Sequence, residues 1–137
     1  MANEATVRSS LQIKVGNLTY QSQPTAFLAD VSSANGPTPG VVAATTTGVN
    51  VSLSALTTPG LCRVMNLDST NYVILGVYDG ASFFPLMELL PGESYVFRLY
   101  RNFGDEFVGT GTPSDVNTLR VMGVGGTCNV LVEAFEA

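Results

Sequence analysis

The sequence predicts an all-β protein: a single-domain antiparallel β-sandwich or jelly roll with an extended N-terminal arm, a β-barrel being the alternative. Apolar and polar residues alternate over many short stretches, the period of a strand with one buried face. The stretches are cut by turn-forming pairs such as Pro59-Gly60, Asp79-Gly80 and Pro91-Gly92. No stretch carries the apolar period of an amphipathic helix. At 137 residues the chain is about one domain, able to bury roughly two-thirds of the surface its unfolded form exposes. Two packed sheets, or a closed barrel, are how so many edge strands are covered.

Residues 1–10 (MANEATVRSS) are small and polar without sustained alternation. They read as a flexible arm that orders against a partner, with Asn3, Val7 and Arg8 as its candidate contacts. The sandwich then spans residues 11–137. Leu11, Ile13 and Val15 alternate with Gln12 and Lys14, and Gly16-Asn17 turns the chain towards Leu18-Thr19-Tyr20. Phe27, Ala29 and Val31 repeat the period, and residues 32–40 (SSANGPTPG) are too rich in breakers for any element. Residues 41–46 and 49–53 flank Thr47-Gly48 as an expected hairpin.

Residues 61–67, 72–78, 83–90 and 94–100 read as an antiparallel meander. Pro59-Gly60 and Pro91-Gly92 suit type II turns, because proline presets a negative φ and glycine takes the positive one without strain. Asp79-Gly80 suits a tight hairpin turn. Residues 101–115 form the longest expected loop, and residues 118–124 and 127–135 an expected closing pair around Gly125-Gly126. The tally is nine or ten strands.

Composition narrows function. The net charge is −5 and the only lysine is Lys14, so phosphate backbones find little to bind and nucleic acid is not an expected partner. No apolar run approaches the roughly 20 residues of a membrane helix, although mean hydropathy is +0.27. The first residues lack the basic and apolar regions of an export signal. Low charge density also suits a surface that another protein covers. Cys62 and Cys128 fall inside expected strands, where free buried thiols are the expectation. Two cysteines and no histidine are too few for an ordinary structural zinc site.

No catalytic constellation emerges, and no catalytic, cofactor-binding or metal-ligating residue is expected. Without histidine, catalysis would rest on carboxylates, tyrosines or thiols. Glu88 and Glu93 flank Pro91-Gly92, but a glycosidase cleft calls for aromatic walls and the chain has no tryptophan; solvated turn carboxylates are the better reading. Asp105, Glu106 and Asp115 share a loop with Thr110 and Thr112, an oxygen-rich set whose spacing matches no calcium loop. Gly123-Val124-Gly125-Gly126 lacks the lysine and helix of a phosphate loop. Phe83, Phe84, Tyr100, Phe103 and Phe107 gather aromatic area near strand ends; most suit the core, and one or two suit a subunit contact.

Three motifs carry a family resemblance: Thr57-Thr58-Pro59-Gly60, Asn66-Leu67-Asp68-Ser69-Thr70-Asn71-Tyr72-Val73 and Leu89-Leu90-Pro91-Gly92-Glu93. With the opening at 11–22 (LQIKVGNLTYQS) and the ending at 128–136 (CNVLVEAFE), the chain resembles small β-rich structural virion proteins of tailed bacteriophages. The resemblance implies a capsid decoration, or cement, protein that binds the outer surface of the major capsid lattice and stabilises the shell without catalysis. It further implies a homo-oligomer, with a trimer as the natural guess for threefold positions, located on the virion and made in the host cytoplasm without secretion. The alternatives are another virion component (neck, tail or head fibre) or a carbohydrate- or cell-surface-binding β-sandwich.

Overall fold

The computed structural model describes residues 5–23, 25–29, 31, 35–100 and 118–136. The chain divides into two compact units, Met1–Ser33 and Ala34–Ala137.

The first unit holds four strands: β1 (Ala5–Ser9), β2 (Gln12–Val15), β3 (Leu18–Gln21) and β4 (Thr25–Ala29). β2 and β3 form the hairpin expected around Gly16-Asn17, and β1 pairs antiparallel with β4 from Ala5↔Ala29 to Ser9↔Thr25. A backbone bond from Ser22 N to Leu11 O (2.8 Å) joins the two pairings, so the chain runs out and back as one two-stranded ribbon. The division expected at residue 10 therefore differs from the one observed at residue 33. Residues 5–9 find their strand partners at residues 25–29, a pairing that no local pattern announces.

The second unit holds β5 (Thr38–Ala44), β6 (Val49–Asn50), β7 (Pro59–Asn66), β8 (Tyr72–Tyr78), β9 (Phe83–Leu89), β10 (Ser94–Arg98), β11 (Thr118–Val124) and β12 (Cys128–Glu136). One sheet has the order β10-β7-β12-β5 and the other β6-β11-β8-β9. Every described pairing is antiparallel. This is the strand order of a double-sheet jelly roll, and among the described residues the two sheets are not closed into a barrel.

Four expected neighbour pairings are corrected by this order. Residues 56–101 are not a meander: β8 and β9 pair, but β7 and β10 lie in the other sheet and pair with each other. β5 and β6 belong to different sheets, as do β11 and β12. Alternation says which side chains face the core, and a strand of either sheet satisfies it equally. Glycines make the β11–β12 corner possible: Gly125 has a φ of +91°, and a Cβ on Gly123 would meet the carbonyl oxygens of Gly126 and Ala44.

The turns divide likewise. Leu90 to Glu93 is the type II turn expected, with Gly92 at φ +79° and Glu93 N bonded to Leu90 O at 3.0 Å. Pro59-Gly60 is not a turn: both residues are buried at the start of β7, Pro59 opposite Glu136, and Gly60 is not among the positive-φ glycines. Asp79-Gly80 does open a hairpin, but its loop runs through Ser82. Asp79 Oδ1 accepts from Ala81 N (2.8 Å) and Ser82 N (2.6 Å).

Between the sheets lie Val64, Val73, Leu75, Leu89, Leu119, Val121, Cys128, Val130 and Val132, each at most 1 % exposed. A smaller cluster of Leu56, Cys62, Leu99 and Ala134 extends it. Glu136, also buried, accepts from Thr57 N (2.9 Å) and Thr58 N (2.6 Å). Two hydrogen bonds to one carboxylate, each worth about 1.5–3 kcal/mol, thus fix the Thr57-Thr58-Pro59-Gly60 segment against the last strand.

Candidate interaction surface

Two of the three motifs meet at one end of the sandwich, on Asn66. This side chain is fully buried. Its amide donates to Asn71 O (2.9 Å) and Leu89 O (3.1 Å), and its Oδ1 accepts from Asp68 N (2.9 Å). Its backbone N and O bond to Glu93 O and Gly92 N. A buried amide so satisfied costs nothing to keep and ties the 66–73 turn to the 89–93 turn.

Carboxylates serve the same turns. Asp68 Oδ1 accepts from Thr70 N and Asn71 N (2.8 and 2.7 Å), bonds that hold its carboxyl below the usual range. Glu93 Oε2 accepts from Leu90 N (2.8 Å), and its charge pushes the neighbouring Tyr95 phenol up. Glu88 stands exposed opposite Ile74 on an outer face. What Asp68 and Glu93 do is cap turns. Around them Leu67, Leu90 and Tyr95 remain 44–47 % exposed.

The outer face of the β10-β7-β12-β5 sheet carries an apolar row in register, Val41, Leu131 and Met65, ending at Ser94. The next row is Pro39, Glu133, Arg63 and Val96, in which Arg63 and Glu133 pair across the strands at 2.8 Å. Surface pairs of this kind contribute at most about 1 kcal/mol; exposed Arg98, opposite Leu61, and Asn129, opposite Ala43, share the face, so it mixes apolar and polar side chains. On the opposite sheet the Phe83 ring lies over Gly76, where a Cβ would collide with it. The Arg120 guanidinium sits 4.1 Å from the centroid of Tyr78, held by Thr47 O (3.0 Å) and Gly48 O (3.2 Å).

The ribbon is the more exposed element. Its outer hairpin pairs Ile13 with Tyr20 and Val15 with Leu18, which puts these four on one face. Leu11 continues the face by alternation. Gln12 opposite Gln21 and Lys14 opposite Thr19 make the other. All five apolar residues are exposed, from 37 % for Ile13 to 69 % for Val15.

Of the residues singled out from sequence, Val7 is half-buried opposite Phe27 and Arg8 is exposed opposite Ala26. Phe83 is half-buried, whereas Phe84 and Tyr100 are 53 % and 65 % exposed. Asn3, Phe103, Phe107 and the acidic loop with Asp105, Glu106 and Asp115 lie outside the described residues. The structure brings none of these described candidates into one cluster. The sequence reading missed the ribbon face, whose signal was present as alternation but read as half-buried.

Cys62 and Cys128 are buried and unpaired with each other. Burial pushes the Cys62 thiol up to about 12 and raises Cys128 as well, so both are poor nucleophiles near neutrality. Among the described residues no group of three or more cysteine or carboxylate side chains could hold a metal ion, and no helix is long and apolar enough to cross a membrane. What the described surface offers is contact area. Comparison with protein-family models, curated proteins and solved structures finds no match for this chain.

Proposed function

We propose that this chain is a structural protein that acts by binding, a capsid decoration protein attached to the outside of a phage shell. The observation that carries the reading is exposed contact area: fifteen large apolar side chains stand exposed on the described residues, seven of them on the ribbon. Five of them, Leu11, Ile13, Val15, Leu18 and Tyr20, share one ribbon face, and contiguous apolar patches mark interaction surfaces. The resemblance of the 57–60, 66–73 and 89–93 motifs to phage virion proteins supplies the setting, and two of those motifs build one buried junction on Asn66.

The mechanism is mass action. A protein that binds the assembled lattice and not its separated subunits stabilises the shell by RT ln(1 + [L]/Kd) per site, about 2.7 kcal/mol at a hundredfold excess over Kd. Attachment through several copies at once multiplies the gain. The test mixes purified protein with capsids lacking it and follows co-sedimentation and shell melting. Saturable binding at lattice stoichiometry with a rise in melting temperature supports the reading. Binding at one vertex or at the tail points instead to a neck or tail component, and no binding at all overturns it.

A further inference from the structure

We propose that the apolar face of the N-terminal ribbon is a self-association surface, covered in solution by the same face of a second copy of this chain. Two antiparallel strands are marginal by themselves in water; a third strand or a packed layer is what makes such a ribbon stable. Here the strands supply an apolar face made of Leu11, Ile13, Val15, Leu18 and Tyr20, and none of these five is buried.

The area fits one partner of the same kind. Exposures of 37–69 % leave on the order of 100 Å² per side chain, so about 500 Å² per ribbon and ~1,000 Å² for two ribbons face to face, the size from which a specific interface begins. A second copy therefore completes a two-layer, four-stranded sandwich with no residue added.

Charge placement agrees. Arg8 and Lys14 are the charged residues of the ribbon from 5 to 29, and it has no carboxylate. The apolar face carries no charge, because Lys14 shares the opposite face with Gln12, Thr19 and Gln21. Stacking two apolar faces at the ~10 Å spacing of packed sheets turns both lysines outward, more than a Debye length of ~8 Å apart at physiological salt. An acidic partner surface would instead draw on Lys14 and Arg8, and its grip would weaken as salt rises.

The experiment uses the full chain without capsids, so its outcome is separate from that of lattice binding. Sedimentation velocity at low and high salt should show a discrete oligomer that persists or strengthens with salt. Leu18→Glu, on the apolar face, should weaken association by about tenfold or more, while Thr19→Glu, on the polar face, should leave it in place. Val15→Cys should cross-link two chains under mild oxidation and Thr19→Cys should not, a readout that stands even where Leu18→Glu disturbs the ribbon. A wild-type monomer at every concentration, an oligomer that dissolves with salt, or cross-linking at Thr19→Cys equal to that at Val15→Cys overturns the proposal.

Discussion

β12 and the outer hairpin of the ribbon are written in the same alternating code and meet opposite fates. In β12, Cys128, Val130, Val132 and Ala134 are completely buried, whereas Leu11, Ile13 and Val15 keep 37–69 % of their surface exposed. β12 lies between β7 and β5 with a second sheet across the core; among the described residues β2 pairs with β3 alone. Alternation therefore specifies that a face exists and leaves open what covers it. In the sandwich the chain supplies the cover; on the ribbon, by our proposal, another copy does.

The sharpest way to break this comparison is to remove the same atoms from both places. Leu75 is 1 % exposed in the centre of the core, and Leu75→Ala should cost about 3 kcal/mol, from the lost transfer energy and the cavity left behind. A loss below about 1 kcal/mol in denaturant unfolding would show that the sandwich is not the rigid half of the pair.

Next comes Asn66. Asn66→Leu keeps the branched shape but strands Asn71 O, Leu89 O and Asp68 N, and should destabilise by about 2 kcal/mol or more. Its effect should fall on the sandwich and leave ribbon association unchanged. A loss of association in the folded variant would mean that the two regions are energetically one.

How much of this was legible follows from the range of the forces involved. Strand periodicity is a nearest-neighbour property, so the all-β class, the β2–β3 hairpin and the Leu90 to Glu93 turn could be read from a few residues each. Sheet membership is not local. Nothing within residues 118–136 says that β11 and β12 part company at Gly125, and nothing near Pro59 announces Glu136 as its partner. Residues 5–9, read as part of an arm, are a strand for the same non-local reason, since β1 pairs with β4. Exposure was legible only in places: Phe84 and Tyr100, singled out from the sequence, are exposed, whereas the ribbon face was read as half-buried because its alternation is that of a strand on a core.

Alkaline titration probes the buried half through Cys62. Its folded pKa of about 12 lies above the unfolded value of 9.0, so the folded state holds the proton more tightly. The contribution is complete below pH 9 and is lost as pH rises towards 12, at about 1.4 kcal/mol per pH unit. The decline should be visible as the difference between wild type and Cys62→Ala, whose stability lacks this slope; parallel curves would place the thiol in contact with water.

Gly92→Ala should cost about 1 kcal/mol, because the φ of +79° resists a Cβ although nothing lies within 4 Å of it. The strain is purely one of backbone, so the loss should be the same at every protein concentration. An unchanged denaturant midpoint would mean that the turn takes another form in solution.

The smallest expected effect closes the pair opened by Leu75. Leu18 is 59 % exposed beside the Gly16-Asn17 turn, so in dilute solution, where copies are apart, Leu18→Ala should change stability by no more than about 0.5 kcal/mol. As concentration rises the wild type should gain stability by mass action and the variant should gain less, because the removed atoms contribute only once a second ribbon covers them. The two leucines then differ in kind as well as size: Leu75 stabilises at any concentration, Leu18 only in company. A Leu18→Ala loss of several kcal/mol in the monomer would mean that the ribbon face is already covered within one chain, and the distinction between the two regions would collapse.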